Sequence, residues 1–237
     1  MAEISKTADQ ALTVLLTVSE HGPCTPARLA RDLKMNRTVV HRLLSTLHQR
    51  GFVTRQEEGY IPGAILVRIA EHVQPRLRAA GREAMEQVAR KVDETVVMHI
   101  PDGDDAVVLE QVVSDNHLVR VEHQIGSRHP LVTAASGRAI LAFLGDPVIE
   151  RVARRVDASD DVKRKLKAVR KAGYALSHDE LQQGVHGLAV PVLNGDGCAI
   201  ASMAILVPTT RAADLEQHSK LLLDAAARLS KAVRSRD

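Results

Sequence analysis

The sequence predicts an α+β protein: an N-terminal winged helix-turn-helix followed by a sensor-type domain built on an antiparallel sheet. Two observations carry that prediction. Residues 25–60 place a short helical pattern, a polar break, a second amphipathic helix and a small hairpin in direct succession. From Glu94 onward the apolar residues change from a helical to a strand period, with helical stretches before and after.

The helix-turn-helix rests on local signals. Thr25 before Pro26 suits an N-cap followed by proline in the first turn. Ala27, Leu29, Ala30 and Leu33 then recur at helical spacing. Lys34-Met35-Asn36 breaks the pattern, Asn36 is a good N-cap for the next helix, and Gly51 suits its end. At 100° per residue, Val40, Leu43, Leu44 and Leu47 fall on one side of that second helix. Thr38, His41, Arg42, Ser45 and Gln49 fall on the other, with Arg37 on the flank. The apolar side must pack inward, and the opposite side offers groups that can read base edges in a major groove. A first helix over residues 8–18 is expected to pack Ala11, Leu12, Leu15 and Leu16 against the other two.

The wing follows as a strand over residues 52–55, a turn over 56–59 and a return strand over 60–62. Arg55 is placed for phosphate, whereas Glu57 and Glu58 turn the wing tip away from it. Charge agrees. Residues 25–55 hold Arg28, Arg31, Lys34, Arg37, Arg42, Arg50 and Arg55 against Asp32 alone, a local +6 in a chain whose net charge is +3. Phosphate neutralisation dominates DNA affinity, so the local patch matters more than the total. The expected DNA-contacting set is Arg28, Arg37, Thr38, His41, Arg42, Ser45, Gln49 and Arg55, on double-stranded DNA.

Composition narrows the alternatives. The aromatic residues are Phe52, Tyr60, Phe143 and Tyr174, with no tryptophan, which argues against a single-strand binder built on stacking. Cys24 and Cys198 form neither a CxxC pair nor a disulfide framework, as expected in a reducing cytoplasm. No signal-like region or membrane-length apolar run is present, so a cytoplasmic protein without membrane contact is expected.

The division expected is 1–62 for the DNA reader, 63–74 for a linker helix and 75–237 for the second domain. Residues 64–70 are helical and largely apolar. Such a linker can pack on its own domain or pair with the same helix of a second copy; pairing gives a homodimer presenting two readers to two half-sites. Beyond Pro75 a helix is expected over 77–91, then strands over 95–100, 106–113 and 118–123. Helices over 136–144 and 160–171 follow. Strands over 188–193 and 198–207 flank Asn194-Gly195-Asp196-Gly197, a strong hairpin signal, before a last helix over 215–234.

No catalytic signature is present: no GxSxG, HExxH, P-loop or GxGxxG. Ser136 near His129 reads as a helix cap rather than a nucleophile. The pairs His123 with His129 and His178 with His186 lack ligand spacing on one element, so no metal and no cofactor is expected.

These residues resemble the IclR family of bacterial transcriptional regulators over nearly the full length. The similarity is carried by LARDLKMNRTVVHRLLSTLHQRGFV at 29–53, GSRHPLVTAASGRAILA at 126–142 and GYALSHDELQQGVHGLAVPVLNGDG at 173–197. The resemblance implies a winged helix-turn-helix joined to a GAF-like effector-binding domain. It also implies a dimer or tetramer on a roughly palindromic operator, and a small organic effector that changes operator binding. Carried over by matching positions, the effector would be lined by Leu118, Val121, His129, Ala135, Ser136, Ser177, Gly187, Ala204 and Leu206. This sequence departs from the family pattern: Gly187 stands for a common cysteine, Ser177 for an acidic residue, Ala204 and Leu206 for serines, and Arg138 for a lysine. These changes predict a roomier, drier pocket for an apolar or aromatic ligand held by Ser136, Ser177 and His129. The expected function is therefore an effector-responsive regulator, a catabolic-pathway repressor by family habit. The alternatives are an enzyme that uses its N-terminal module for partner docking, and a ligand-free architectural DNA binder.

Overall fold

The computed structural model describes residues 4–156 and 159–234. The chain forms two compact units, with the division after Pro75.

The first unit holds α1 (Lys6–His21), α2 (Pro26–Asp32), α3 (Arg37–Gln49), the β1 (Val53–Gln56) and β2 (Gly59–Pro62) hairpin, and α4 (Ile65–Glu71). The caps form as the sequence predicts: Thr25 Oγ1 accepts the Arg28 N–H and Asn36 Oδ1 accepts the Thr38 N–H. Lys34 takes a left-handed conformation (φ 52°) in the tight turn. The core joins Val14 and Val18 of α1 to Leu29, Val40, Leu43, Leu44 and Leu47. One expectation is corrected here: Leu12 and Leu16 are exposed. The stripe that faces inward is Ala11-Val14-Leu15-Val18, so α1 is rotated about one position from the expected face. Cys24 pairs with Tyr60 through N–H···O bonds of 3.0 and 2.9 Å, making the segment before α2 a third partner of the wing. Gly59 is required there, because a Cβ would lie 2.6 Å from the Cys24 carbonyl carbon.

The second unit contains α5 (Pro75–Val92), β3 (Thr95–Asp102), β4 (Asp105–Val112), β5 (Arg128–Pro130), α6 (Ala134–Leu141), α7 (Asp146–Ala153) and α8 (Ser159–Ala172). Then come β6 (Ala175–His178), β7 (Val185–Leu193), β8 (Ala199–Pro208) and, after a 3-10 turn at Leu215–His218, α9 (Ser219–Arg234). The sheet is antiparallel in the order β5-β4-β3-β8-β7-β6. Alternation along its strands splits two cores. Val96, Met98, Leu188, Met203 and Ile205 pack with α5 and α9, while Val97, Ala189, Ala204 and Leu206 pack with α6 and α8. The β7–β8 turn forms as predicted, with Asn194 Oδ1 accepting the Asp196 and Cys198 N–H groups.

Residues 118–123 are not a strand, contrary to expectation. The free edge of β4 is taken by 126–130: the Gly126 N–H donates to Val108 O, the Val108 N–H donates to Ser127 O, and β5 continues the pairing. The 118–123 segment is left as a loop with Leu118 fully exposed and Val121 buried. Among the described residues, no helix is long and apolar enough to cross a membrane.

Candidate DNA-reading face and effector pocket

On α3 the split between faces is clean. Val40, Leu43, Leu44 and Leu47 are buried, whereas Arg37, Thr38, His41, Arg42, Ser45 and Gln49 are exposed. Ser45 donates its hydroxyl to His41 O at 2.9 Å, which leaves its lone pairs outward. Arg55 is exposed on β1, opposite Tyr60 in register. No ion pair engages Arg37, Arg42 or Arg55 among the described residues. Arg28 differs: it lies 3.4 Å from Asp32 on the same helix, so its charge is partly neutralised.

The second unit carries a narrow pocket on the sheet face covered by α6, a cavity of about 20 Å³ whose open mouth brings the total empty space to about 360 Å³. Ser177 of β6, Gly187 of β7 and Leu206 of β8 supply the sheet side. Ala134, Ala135 and Ser136 supply the start of α6, the β6–β7 loop adds Leu181 and Gln182, and the β4–β5 loop adds His123. Five of the nine residues expected at the effector therefore meet here: Ala135, Ser136, Ser177, Gly187 and Leu206. His129 lies one step behind, 3.1 Å from Ser136 Oγ. Ala204 is buried beside the pocket, Val121 is buried under the loop, and Leu118 points to solvent. Leu181 and Gln182 had no signal in the sequence beyond their place in a loop of a quoted motif, and His123 stood out only as a partner for His129 in a metal reading.

Two features differ from the roomy, dry pocket expected. The space left by Gly187 is filled, since a Cβ there would lie 3.0 Å from Ser177 Oγ and 3.3 Å from Leu206 Cδ2. Polar groups also crowd the floor. His99 is wholly buried, and its ring lies 5.3 Å from His129 and 6.1 Å from His123, centroid to centroid. Burial first, then the neighbouring rings, holds His99 well below the usual imidazole range. Burial and His129 lower His123. Burial lowers His129 as well, against the opposing pull of its bond to Pro130 O and of Asp105. Because His129 Nδ1 faces Pro130 O at 3.1 Å, that nitrogen carries the proton and Nε2 accepts from the Ser136 hydroxyl. Ser136 is thus no helix cap; Thr133 holds that position.

A latch beside the pocket ties the β6–β7 loop to α6. Glu180 of the β6–β7 loop pairs with Arg138, a buried residue of α6, and accepts the Ala134 N–H at 3.1 Å. Arg138 also donates to Leu176 O at 2.7 Å. Burial raises the Glu180 carboxyl, but Arg138 and the Ala134 N–H outweigh it and hold the group below its ordinary value. Ala134 sits at φ 59°, a left-handed conformation that starts α6 and aims its N–H at Glu180. Among the described residues, no three His, Cys, Asp or Glu side chains converge as a metal site requires.

Comparison with known proteins places these features in one lineage. The family description "IclR helix-turn-helix domain" matches residues 7–57, and "Bacterial transcriptional regulator IclR C-terminal" matches 72–231. The HTH-type transcriptional regulator KipR of Bacillus subtilis (strain 168) is 29% identical, with 81% of this chain and 82% of that protein covered. The crystal structure of an IclR transcriptional regulator from Alicyclobacillus acidocaldarius superposes with a TM-score of 0.84 at 26% identity, covering 97% of this chain and 99% of that one. An IclR homolog from Microbacterium hydrocarbonoxydans, solved in complex with 4-hydroxybenzoate, shares the fold at TM-score 0.84 and 22% identity, covering 97% and 100%. The chain belongs to the IclR family of bacterial transcriptional regulators and is a DNA-binding regulator, not an enzyme.

Proposed function

We propose that α3 reads a palindromic operator in the major groove and that a small organic acid with an apolar or aromatic body, held in the α6 pocket, sets the operator affinity. The observation that carries the DNA half is the uncompensated Arg37-Thr38-His41-Arg42-Ser45 face over a wholly apolar seam. The 4-hydroxybenzoate bound by the Microbacterium relative supports the effector class. Ser136 and Ser177 orient the ligand, and Leu206 and Ala135 pack on its body.

A homodimer fits the exposed apolar surface of the first unit. No residue of α4 is buried; Val67 and Ile69 lie open, as do Leu12 and Leu16 of α1. A second copy covering them would bring two α3 helices to two half-sites. Repression of a catabolic operon in the cytoplasm is the regulatory role this reading assigns. The test is calorimetry with benzoate-type acids against short aliphatic acids, paired with operator binding at saturating ligand. Tighter binding of the aromatic acids, with a change in operator affinity, is expected; preference for the short acids overturns the effector class.

A further inference from the structure

We infer that His99, His123 and His129, with the Ser202 hydroxyl, form an acid-recognising floor behind the pocket, where an effector's carboxylate is bound by imidazole with uptake of one proton. This rests on the reading of the α6 pocket as the effector site. It adds His99, His123 and Ser202, which lie outside the lining expected from the family resemblance, together with a proton linkage.

Both ring nitrogens of His99 and the Ser202 hydroxyl are buried and have no hydrogen-bond partner. Buried polar atoms in a native fold are almost always paired, so several unpaired ones in one place call for a functional reason. His99 of β3 and Ser202 of β8 are register partners, so their side chains leave the sheet on the same face. By alternation along β8 that face also carries Ala204 and Leu206, and Leu206 lines the pocket. The unpaired groups therefore lie on the sheet face that bears the cavity, behind its lining residue His123. His123 is at the cavity wall, and the ring spacings of 5.3 and 6.1 Å let the two oxygens of one carboxylate reach two rings.

The alternative receptor for an acid is already taken. Arg138 and the first N–H of α6 are both committed to Glu180. That leaves the imidazoles, together with the hydroxyls of Ser136 and Ser177, to meet an incoming anion.

The proton count follows from the surroundings. The titratable groups facing His99 are His123 from the β4–β5 loop and His129 from β5, with Asp105 of β4 beyond His129. The strand β8 and the helix α6 contribute the hydroxyls of Ser202 and Ser136. In the unliganded protein the three rings are held neutral by burial. A carboxylate among them favours one imidazolium, so one proton enters from solvent as the anion binds. If that proton sits on His129, the bond reverses: Nε2 donates to Ser136 Oγ, and the Ser136 hydrogen is freed for another acceptor. Ser136 belongs to α6, the helix whose Arg138 pairs with Glu180.

Calorimetry of the full chain with benzoate, 4-hydroxybenzoate and pyruvate, each beside its amide, tests this at pH 6 and pH 8 in two buffers of different ionisation enthalpy. The expected result is an acid preferred over its amide by about tenfold at pH 6 and about one proton taken up per acid bound. Its affinity should fall by up to about tenfold per pH unit toward pH 8. His99→Gln keeps a polar side chain without titration, and it should reduce the uptake and narrow the preference for acid over amide. The wild-type measurement stands alone if that variant fails to fold. Amides binding as well as acids, binding without proton uptake, or an unchanged uptake in a folded His99→Gln protein each overturn the proposal. If acids and amides bind alike and both alter operator affinity, the effector reading survives and the histidine floor does not. If none of the six compounds binds, both fall.

Discussion

Replacing Glu180 with glutamine removes the charge that neutralises Arg138 while keeping an oxygen for the Ala134 N–H. The Arg138 side chain is 6% exposed and that of Glu180 is 32% exposed. Without the carboxylate, the guanidinium keeps the carbonyl of Leu176 at 2.7 Å and a long contact to that of Val132 at 3.5 Å. Breaking one partner out of a buried pair costs about 3–5 kcal/mol. Water reaches the Glu180 side, which places the expected loss near the low end, about 3 kcal/mol. For a unit of this length that corresponds to about 6–12 °C in Tm. Adding Arg138→Met to Glu180→Gln should recover most of the loss, because no unpaired charge then remains. Urea unfolding followed by far-ultraviolet circular dichroism measures both.

The pH dependence has a definite sign. The folded Glu180 carboxyl sits below its ordinary value, so its contribution is complete above the unfolded carboxylate range, about pH 4.3. It is lost only as pH falls through the lower folded value. The gap between wild type and variant should be constant from pH 7 to 5 and close below about pH 4. A loss under about 1 kcal/mol at pH 7, or a gap that closes between pH 7 and 5, refutes the reasoning.

Other outcomes follow from the same geometry. Arg37→Ala should weaken binding across all duplex sequences and lower the log-affinity versus log-salt slope by about 0.9, read by fluorescence anisotropy; an unchanged slope would take Arg37 off the phosphate backbone. The unliganded protein should lose stability as pH falls from 7 toward 5, by up to about 1.4 kcal/mol per unit for each buried histidine, because the unfolded chain accepts protons that the folded rings refuse. His99→Gln should flatten that decline, and a wild-type curve already flat would contradict it. Val67→Lys on the uncovered face of α4 should shift sedimentation velocity from dimer toward monomer, and an unaltered dimer would place the subunit contact elsewhere.

How much the sequence revealed depended on distance along the chain. The helix-turn-helix was legible because its caps, turn and stripe are local: Asn36 reaches two residues and the seam of α3 repeats every turn. The helix α1 was harder. Its apolar residues fit two overlapping stripes, and only the partner surface selects Val14 and Val18 over Leu12 and Leu16. The 118–123 segment reads as strand, but strand formation needs an open edge, and the turn at Gly126 lets 126–130 occupy the edge of β4 first. In the pocket, the small residues at 135 and 187 were visible as motif positions. The His99–His123–His129 cluster was not, because it depends on sheet register and a loop path. The Arg138–Glu180 latch spans 42 residues, and neither partner signals the other in sequence.

The central claim is that the exposed side chains at 38, 41, 42 and 45 read base edges while the leucine seam of α3 holds them in place. Selection of bound duplexes from a fully randomised pool, run in parallel with wild type and Arg42→Ala, tests it directly. A two-fold symmetric motif is predicted for wild type. With Arg42→Ala the motif should lose its preference at one position per half-site, at a cost of about 1–3 kcal/mol for each lost bidentate contact. An identical motif from both proteins would contradict the claim.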